Sequence, residues 1–167
     1  MSAQTYSISN ENGIDAATIE TLLDDAFGIE RRVLTSYRLR EGVASVSGLS
    51  FAAWAGDTLV GSLRFWPVLI ERTWDALLLG PLAVAPRLRG QGCGVALMEA
   101  GLDKAASLGH GLVILVGDEP YYARAGFQRV PDGKLIMPGY VDPDRLLYRE
   151  LRSGAMEEVR GLVGRAG

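Results

Sequence analysis

Three glycines and two arginines are concentrated in a short segment between an apolar run and an alanine-rich helical pattern. Gly90, Gly92 and Gly94 have no Cβ, so the backbone can adopt positive φ angles and its amides can approach a ligand closely. Arg87 and Arg89 add guanidinium groups whose geometry suits phosphate oxygens. The unpaired N–H groups where a helix begins also favour a bound anion. The segment therefore predicts a pyrophosphate site.

Two common phosphate-binding motifs do not fit this segment. A P-loop needs a lysine followed by serine or threonine after its last glycine, and neither follows Gly94. A dinucleotide-binding fingerprint needs glycine or alanine at Leu97 when counted from Gly92, and at Val95 when counted from Gly90. The spacing therefore disfavours a nucleoside triphosphate and a dinucleotide.

The surrounding sequence predicts a strand, a loop and a helix. Residues 77–84 form an apolar run that predicts a strand, and Gly80-Pro81 predicts a bulge within it because proline cannot donate to a sheet. Apolar residues spaced by three or four predict a helix over 92–108, ended by Gly109. The continuous apolar run over 112–116 predicts a strand buried on both faces.

The remaining elements are predicted from periodicity and turn residues. We expect a first strand around 5–9, helices over 15–27 and 30–39, and a hairpin in which Gly56-Asp57 joins strands over 50–55 and 58–68. A short helix is expected to begin near Pro120 and to end at Gly126. A strand follows from Phe127, and the last strand is predicted over 146–151. The tail from Gly154 has weak periodicity and receives no assignment, and the overall order indicates a mixed α/β sheet.

Two landmarks in the sequence match those of a known family. Its acyl-CoA loop has the signature Arg or Gln, two residues, Gly, one residue, then Gly or Ala, and residues 89–94 read Arg-Gly-Gln-Gly-Cys-Gly. Residues 121–127 read Tyr-Tyr-Ala-Arg-Ala-Gly-Phe, which resembles the family's second landmark. With both landmarks in the right order, the chain resembles the GCN5-related N-acetyltransferases (GNAT), and within them an uncharacterised bacterial branch of predicted acetyltransferases.

The resemblance implies a fold and a cosubstrate. It implies a mixed, mostly antiparallel sheet with a splayed central strand pair and flanking helices, and acetyl-CoA as the acyl donor. Backbone of the fourth strand would align pantetheine, the loop amides would hold the pyrophosphate, and Gln91 would contribute only its N–H. The cosubstrate-binding residues implied are Leu82, Ala83, Val84, Arg87, Arg89, Gly90, Gln91, Gly92, Cys93, Gly94 and Val95.

The resemblance also implies a role for one tyrosine. Tyr122 falls at the family's tyrosine position, where a phenol near the sulfur can protonate departing CoA, and an aromatic that only lines the tunnel is an equal alternative. Tyr121 is expected to be a packing residue. Cys93 is expected to be buried in the loop rather than to carry the acyl group.

No residue is assigned firmly as the general base. Many relatives carry a glutamate on the fourth strand, but residues 77–84 contain no carboxylate. Asp118 and Glu119 are the first candidates, and Glu71, Asp75, a water relay or a purely solvated role for each carboxylate are the alternatives. His110, the single histidine, is expected at the opposite end of the following strand and away from the ligand.

Composition limits the remaining possibilities. With 167 residues and 48% hydrophobic content we expect one domain over 1–167, with an acyl-CoA-binding core at about 77–127. A net charge of −3 with scattered basic residues disfavours nucleic acid as a partner. No signal peptide, membrane span, internal disulfide or metal cluster is expected, so the predicted location is cytoplasmic.

The predicted function is therefore the transfer of an acetyl group from acetyl-CoA to an amine, by direct attack in a ternary complex. The sequence does not identify the amine, because acceptor specificity depends on loops. A non-catalytic acyl-CoA-binding or sensing module is the alternative, since the fourth strand lacks a carboxylate. Homodimers are common in the family, but no residue here indicates one.

Overall fold

The computed structural model describes residues 7–10, 22, 39–40, 43–46, 48–88 and 90–166. Two α-helices lie within these residues, α1 (Cys93–Ser107) and the short α2 (Glu119–Tyr122). The strands are β1 (Ser7–Asn10), β2 (Ser50–Ala55), β3 (Thr58–Ile70), β4 (Trp74–Val84), β5 (Leu112–Val116), β6 (Gln128–Arg129), β7 (Leu135–Ile136), β8 (Leu146–Glu150) and β9 (Gly161–Arg165). In these residues no helix is long and apolar enough to cross a membrane.

The strands form one mixed sheet. Its order is β1-β2-β3-β4-β5-β8-β6, and β9 pairs with both β3 and β7. The β4–β5 and β7–β9 pairs are parallel, and the other pairs are antiparallel. This architecture confirms the predicted mixed, mostly antiparallel sheet.

The first hairpin forms where the Gly-Asp pair predicted it. β2 and β3 pair through Ala55 and Thr58, so Gly56 and Asp57 make the turn, and Gly56 has a φ of 62°. Both strands place side chains in the core, where Ala53 and Leu63 are fully buried. The hairpin prediction is confirmed, with β3 extending two residues further than expected.

The break in β4 is the feature that opens the sheet. The pairing of β3 with β4 shifts register between Leu63 and Phe65, opposite Gly80-Pro81, and the Trp66 indole Nε1 donates to the Gly80 carbonyl oxygen at 2.6 Å. β4 pairs with β5 at only two positions, the second of which is Leu78. Beyond this point the edge of β4 that faces β5 is open, which confirms the predicted splayed pair.

The helix α1 covers one face of the sheet and directs its N-terminus toward the opening. Its apolar side packs on the strands through Leu97, Met98 and Leu102, all almost completely buried. Gly92 precedes it with a φ of 82°, and Gly109 follows its last turn with a φ of 93°, both in the left-handed region where glycine is preferred. The prediction of this helix is confirmed to within one residue at each end.

Successive residues of β5 contribute to two separate hydrophobic clusters. Val113 and Leu115 face α1, whereas Leu112 and Ile114 join a second cluster on the other face. This alternation follows from the two-residue period of a strand. The prediction that β5 is covered on both faces is confirmed.

The C-terminal part differs from the prediction. The strand predicted over 146–151 is present as β8, but it is not the last, because β9 follows in the segment that received no assignment. Gly161 and Gly164 dilute the apolar pattern of β9, in which only Val163 is buried. Main-chain pairing to β3, which leaves no periodic signal in the sequence, forms this strand.

Several predicted features lie outside the described residues. They include the helices over 15–27 and 30–39, apart from the buried, helical Leu22 and the buried Leu39. Arg89 and the side chain of Arg87 lie there too. The first strand is described from Ser7, where β1 begins.

Candidate functional site

A cleft of about 810 Å³ opens where β4 separates from β5. It runs from the loop before α1 to the end of β5 and the short helix α2. The residues that line it are Leu82, Val84, Leu88, Gly90, Gly92, Cys93, Gly94, Val95, Val116, Gly117, Asp118, Tyr121, Tyr122, Arg124 and Arg145. The two sequence landmarks, which are distant along the chain, are therefore brought together in one cleft.

At one end of the cleft the lining is mainly backbone. Gly90 and Gly92 both have positive φ angles, 79° and 82°, and Gly92 has no side chain with which to cap the helix. The Ala96 N–H donates to the Gly92 carbonyl at 2.9 Å, as expected for the first intrahelical bond. The amides that precede it lie at the helix N-terminus and suit an anion. We refer to this part of the cleft, residues 90–95, as the loop end.

Tyr121 is packed against the loop end. A Cβ built on Gly94 would overlap the Tyr121 hydroxyl, so only glycine allows the phenol this close to α1. The Arg124 guanidinium lies over the Tyr121 ring, 5.8 Å from its centroid. Tyr121 therefore packs as expected, but it also lines the cleft, together with the Arg124 guanidinium that stacks on its ring.

Tyr122 lies beside Tyr121 in the part of the cleft formed by the end of β5, which we refer to as the Tyr122 end. A Cβ on Gly117 would overlap its ring, and the ring makes edge-to-face contacts with Tyr121 and Phe127 at centroid distances of 5.1 and 6.2 Å. Burial raises the pKa of Tyr122 to about 12, with a further increase from Tyr121 and an opposing effect of the Arg145 charge. Tyr122 is therefore a neutral hydrogen-bond donor across the physiological pH range.

The carboxylate candidates occupy different places. Asp118 lines the cleft beside Tyr122, whereas Glu119 is exposed and does not line it. Glu71 lies in the turn before β4, and Asp75 is the second residue of that strand. Seven residues, about 23 Å of extended chain, separate Asp75 from Leu82 in the cleft. The Glu71 carboxylate accepts a hydrogen bond from the Leu162 N–H at 2.7 Å. Of these four carboxylates, only Asp118 adjoins the tyrosine.

The predicted cosubstrate-binding residues have several orientations. Leu82 and Val84 line the cleft, whereas Ala83 points to the opposite face and contacts the cluster of Leu22. Gln91 is exposed, and its N–H donates to the Leu88 carbonyl at 3.3 Å. The assignment of Ala83 therefore depends on its main chain, whereas the Gln91 N–H that was expected to contribute is bonded within the loop.

Cys93 is the first residue of α1 and has only 1% of its surface exposed. Burial raises the pKa of its thiol, which disfavours the reactive thiolate. The thiol is thus a small buried group at the base of the loop end.

Six lining residues were missed by the sequence analysis as members of the site. Leu88, Val116 and Gly117 border the predicted elements and could have been included by extending each motif by one or two positions. Tyr121 and Arg124 lie inside the second landmark. Arg145 has no such signal, because it reaches the cleft only through the pairing of β8 with β5.

Among the described residues, two of the further hollows lie apart from the cleft. One of about 420 Å³ contains His110 and Asp75 and lies at the N-terminal end of β5, as expected for the histidine. The other, about 620 Å³, is lined by residues of the 129–146 segment and contains none of the predicted site residues. In the described residues no group of three or more histidine, cysteine, aspartate or glutamate side chains could hold a metal ion.

Comparison with known proteins agrees with this geometry. The model of the acetyltransferase (GNAT) domain matches residues 47–129, which include the loop end and both tyrosines. The uncharacterised N-acetyltransferase YhbS of Escherichia coli is 32% identical over 153 residues, which cover 90% of this chain and 90% of YhbS. The chain belongs to the GNAT family of N-acetyltransferases. As a GNAT protein it is an acyltransferase.

Solved structures of GNAT proteins share this fold. The structure of E. coli YhbS in complex with CoA has a TM-score of 0.80 at 27% identity, covering 99% of this chain and 92% of that chain. A GNAT acetyltransferase from Brucella melitensis in complex with acetyl-CoA has a TM-score of 0.64 at 25% identity, covering 87% and 96%. Both similarities extend over nearly the whole of the chains compared.

Proposed function

We propose that this GNAT protein transfers an acetyl group from acetyl-CoA to an amine acceptor by direct attack in a ternary complex. The observation that carries the proposal is the cleft between β4 and β5, which is lined by the N-terminus of α1 and by Tyr122. The CoA and acetyl-CoA complexes of the two similar GNAT proteins support it.

In this proposal the loop end binds the CoA pyrophosphate. Amides at the start of α1 donate to the phosphate oxygens, and Arg87 and Arg89 neutralise the charge. Pantetheine lies along the open edge of β4, where the main chain of Leu82, Ala83 and Val84 is not used by β5. Backbone N–H groups oriented toward the thioester oxygen stabilise charge that develops there, an effect of roughly a few kcal/mol.

The chemical step forms one bond and breaks another. The neutral amine adds its lone pair to the thioester carbonyl carbon, and the C=O electrons move onto oxygen. The intermediate collapses with cleavage of the C–S bond, whose electron pair leaves on sulfur. The nitrogen releases one proton and the sulfur gains one, so the products are an N-acetyl amine and CoA thiol.

Tyr122 supplies the hydrogen bond to the departing sulfur. Burial raises its pKa to about 12, above the value of about 8.5 for a thiol, so complete transfer of its proton to the thiolate is uphill. Its hydroxyl instead donates a hydrogen bond that strengthens as negative charge develops on sulfur. The thiolate then takes its proton from solvent.

Asp118 faces the attacking amine. It lines the cleft next to Tyr122 and is exposed, so it attracts the acceptor ammonium and accepts a hydrogen bond from it. Asp118 passes the proton that the nitrogen loses to water at the mouth of the cleft, and the proton then reaches bulk solvent.

The test combines ligand binding with turnover. Thermal unfolding is measured with CoA, acetyl-CoA and NAD, and thiol release is then measured with a panel of amines. Acetyl-CoA at about 100 times its Kd is expected to stabilise the fold by about 2.7 kcal/mol, and NAD is expected to have no effect. The buried Cys93 thiol adds little background to thiol detection.

Each part of the test can contradict the proposal. Absence of stabilisation by any acyl-CoA would contradict the assignment of the cleft. Stabilisation by acetyl-CoA without thiol release for any amine of the panel would contradict the transfer and favour a module that only binds acyl-CoA.

A further inference from the structure

The Tyr122 end of the cleft contains an arginine that the proposed reaction does not use. Arg145 is the last residue of the short turn Pro143–Arg145, and β8 begins directly after it. Its N–H donates to the Asp142 carbonyl and its own carbonyl accepts from the Gly117 N–H, both at 2.9 Å. The backbone is therefore fixed on both sides, and the exposed side chain lines the cleft.

The acidic residues next to Arg145 are engaged elsewhere. The Asp144 carboxylate pairs with Arg129 at 3.1 Å, and the Asp142 carboxylate accepts from the Asp144 N–H at 2.9 Å. In the part of the chain that the structure describes, the Arg145 guanidinium has no ion pair and no hydrogen bond. Its charge is thus open to a ligand in the cleft, unlike that of Arg129.

Asp118 has the complementary charge, and among the residues that the structure describes no ion pair involves it. Asp118 follows Gly117, whose N–H donates to the Arg145 carbonyl. The Asp118 and Arg145 side chains therefore lie where the neighbouring strands β5 and β8 meet the cleft. Asp118 occupies the N-cap position of α2 but makes no capping hydrogen bond, and within the described residues it forms no ion pair with Arg145. Both charges act on the Tyr122 hydroxyl, so both lie close to where the reaction would occur.

Sheet order separates Arg145 from the loop end. β8 lies beyond β5 as seen from β4, so β5 lies between the Arg145 main chain and the open edge of β4. The other arginine of the cleft, Arg124, stacks on Tyr121 beside Gly94 and so belongs to the loop end. Arg145 instead acts on Tyr122, so the two arginines border adjacent parts of the cleft.

We infer that the acceptor is an amino carboxylate, whose carboxylate binds the Arg145 guanidinium while its amino group lies between Asp118 and Tyr122. This inference rests on the proposed acetyl transfer. The planar fork of a guanidinium matches the two oxygens of a carboxylate, and Asp118 provides the opposite charge for the ammonium. An α-amino acid carries both groups on one carbon, and so pairs both open charges at once.

The experiment compares each amino acid with the amine that lacks its carboxylate. Phenylalanine is paired with phenethylamine, tryptophan with tryptamine and arginine with agmatine, within a panel of the common amino acids and their decarboxylated partners. Thiol release gives kcat and KM for wild type, Arg145→Ala, Arg145→Lys and the control Arg152→Ala. Arg152 is an exposed arginine beyond the other end of β8, so its loss removes the same charge away from the cleft.

The inference predicts a specific pattern. Wild type acetylates at least one amino acid with a higher kcat/KM than its decarboxylated partner. Arg145→Ala lowers kcat/KM for that amino acid by roughly 10- to 100-fold, the usual effect of losing a charged hydrogen bond. The partner amine and the KM for acetyl-CoA change little. Arg145→Lys retains part of the preference, and Arg152→Ala retains all of it.

Three results would overturn the inference while leaving acetyl transfer intact. They are equal or better use of the decarboxylated amines by wild type, an equal loss for both members of a pair in Arg145→Ala, and a rise in the KM for acetyl-CoA as the main effect. Intact acetyl-CoA binding with no amino acid acetylated would also overturn it. Failure of acetyl-CoA to bind would instead contradict the proposed function.

Discussion

The loop end of the cleft is rich in glycine and offers mainly main chain, whereas the Tyr122 end offers polar side chains. Gly90, Gly92 and Gly94 lie at the start of α1 and line the cleft without side chains. The other end presents a phenol, a carboxylate and a guanidinium, from Tyr122, Asp118 and Arg145. The loop end suits the CoA pyrophosphate, which is the same in every acyl-CoA. The Tyr122 end suits the acceptor, which differs between enzymes.

The same difference decides what a substitution does. A main-chain site fails when backbone geometry changes, so the expected effect is on the binding of acetyl-CoA. A side-chain site fails when one functional group is removed, so the expected effect is on the rate or on acceptor choice. A substitution at the loop end is therefore expected to change mainly the KM for acetyl-CoA. A substitution at the Tyr122 end is expected to change mainly kcat or the choice of acceptor.

The largest effect is expected from Tyr122→Phe, which removes only the hydroxyl. Because this hydroxyl would stabilise the departing sulfur, we expect kcat to fall by roughly 100-fold with little change in the KM for acetyl-CoA. Steady-state kinetics would measure both. Tyr148→Phe is the control, since Tyr148 lies on β8 outside the lining of the cleft. An unchanged kcat in Tyr122→Phe would mean that the Tyr122 hydroxyl takes no part in the reaction and that the ring only lines the cleft.

Gly92→Ala tests the main-chain end. Gly92 and Gly109 flank α1 with φ angles of 82° and 93°, and an added Cβ would meet nothing within 4 Å at either. Alanine should therefore cost about 1–2 kcal/mol of stability at both, because of the left-handed backbone. Only Gly92→Ala is expected to raise the KM for acetyl-CoA, by roughly tenfold. Equal KM values in the two variants would argue against anion binding at the loop.

Gly94→Ala tests the contact between the loop end and Tyr121. The new Cβ would overlap the Tyr121 hydroxyl, so we expect a loss of about 1–3 kcal/mol in the free energy of unfolding. In a Tyr121→Phe background the same change should cost less, because the overlapping oxygen is absent. Denaturant unfolding of the four proteins measures the coupling. Additive effects would show that the phenol does not pack there.

The smallest effect concerns alkaline stability. The folded pKa of Tyr122 is about 12, above the ordinary value of about 10, so neutral Tyr122 stabilises the fold fully below pH 10. This stabilisation is lost as the pH rises from about 10 to about 12. Tyr122→Phe should therefore lose stability less steeply than wild type and Tyr148→Phe across this range, as measured by thermal unfolding. Parallel curves for all three proteins would contradict the burial of the phenol.

The parts of the molecule that the sequence predicted share a local cause. Gly56-Asp57, Gly80-Pro81, Gly92 and Gly109 each mark a turn, bulge or cap that depends on a few adjacent residues. The loop of the site was found for the same reason, because its amides require glycines at fixed spacing. Acetyltransferase motifs then linked this loop to Tyr122.

What could not be predicted depends on pairing between distant segments. β9 is formed by main-chain bonds to β3, and its two glycines leave no apolar alternation to detect. Arg145 enters the cleft because β8 pairs with β5, and its own neighbours in sequence look like an ordinary polar turn. The local pattern around a residue contains no information on such cross-strand placement.

The most direct test of the proposed acetyl transfer is a crystal structure of the protein with acetyl-CoA or CoA. We expect the pyrophosphate on the amides of residues 90–95, pantetheine along the open edge of β4, and the sulfur within hydrogen-bonding distance of the Tyr122 hydroxyl. A ligand bound outside the cleft between β4 and β5, or a sulfur directed away from Tyr122, would contradict the proposed arrangement.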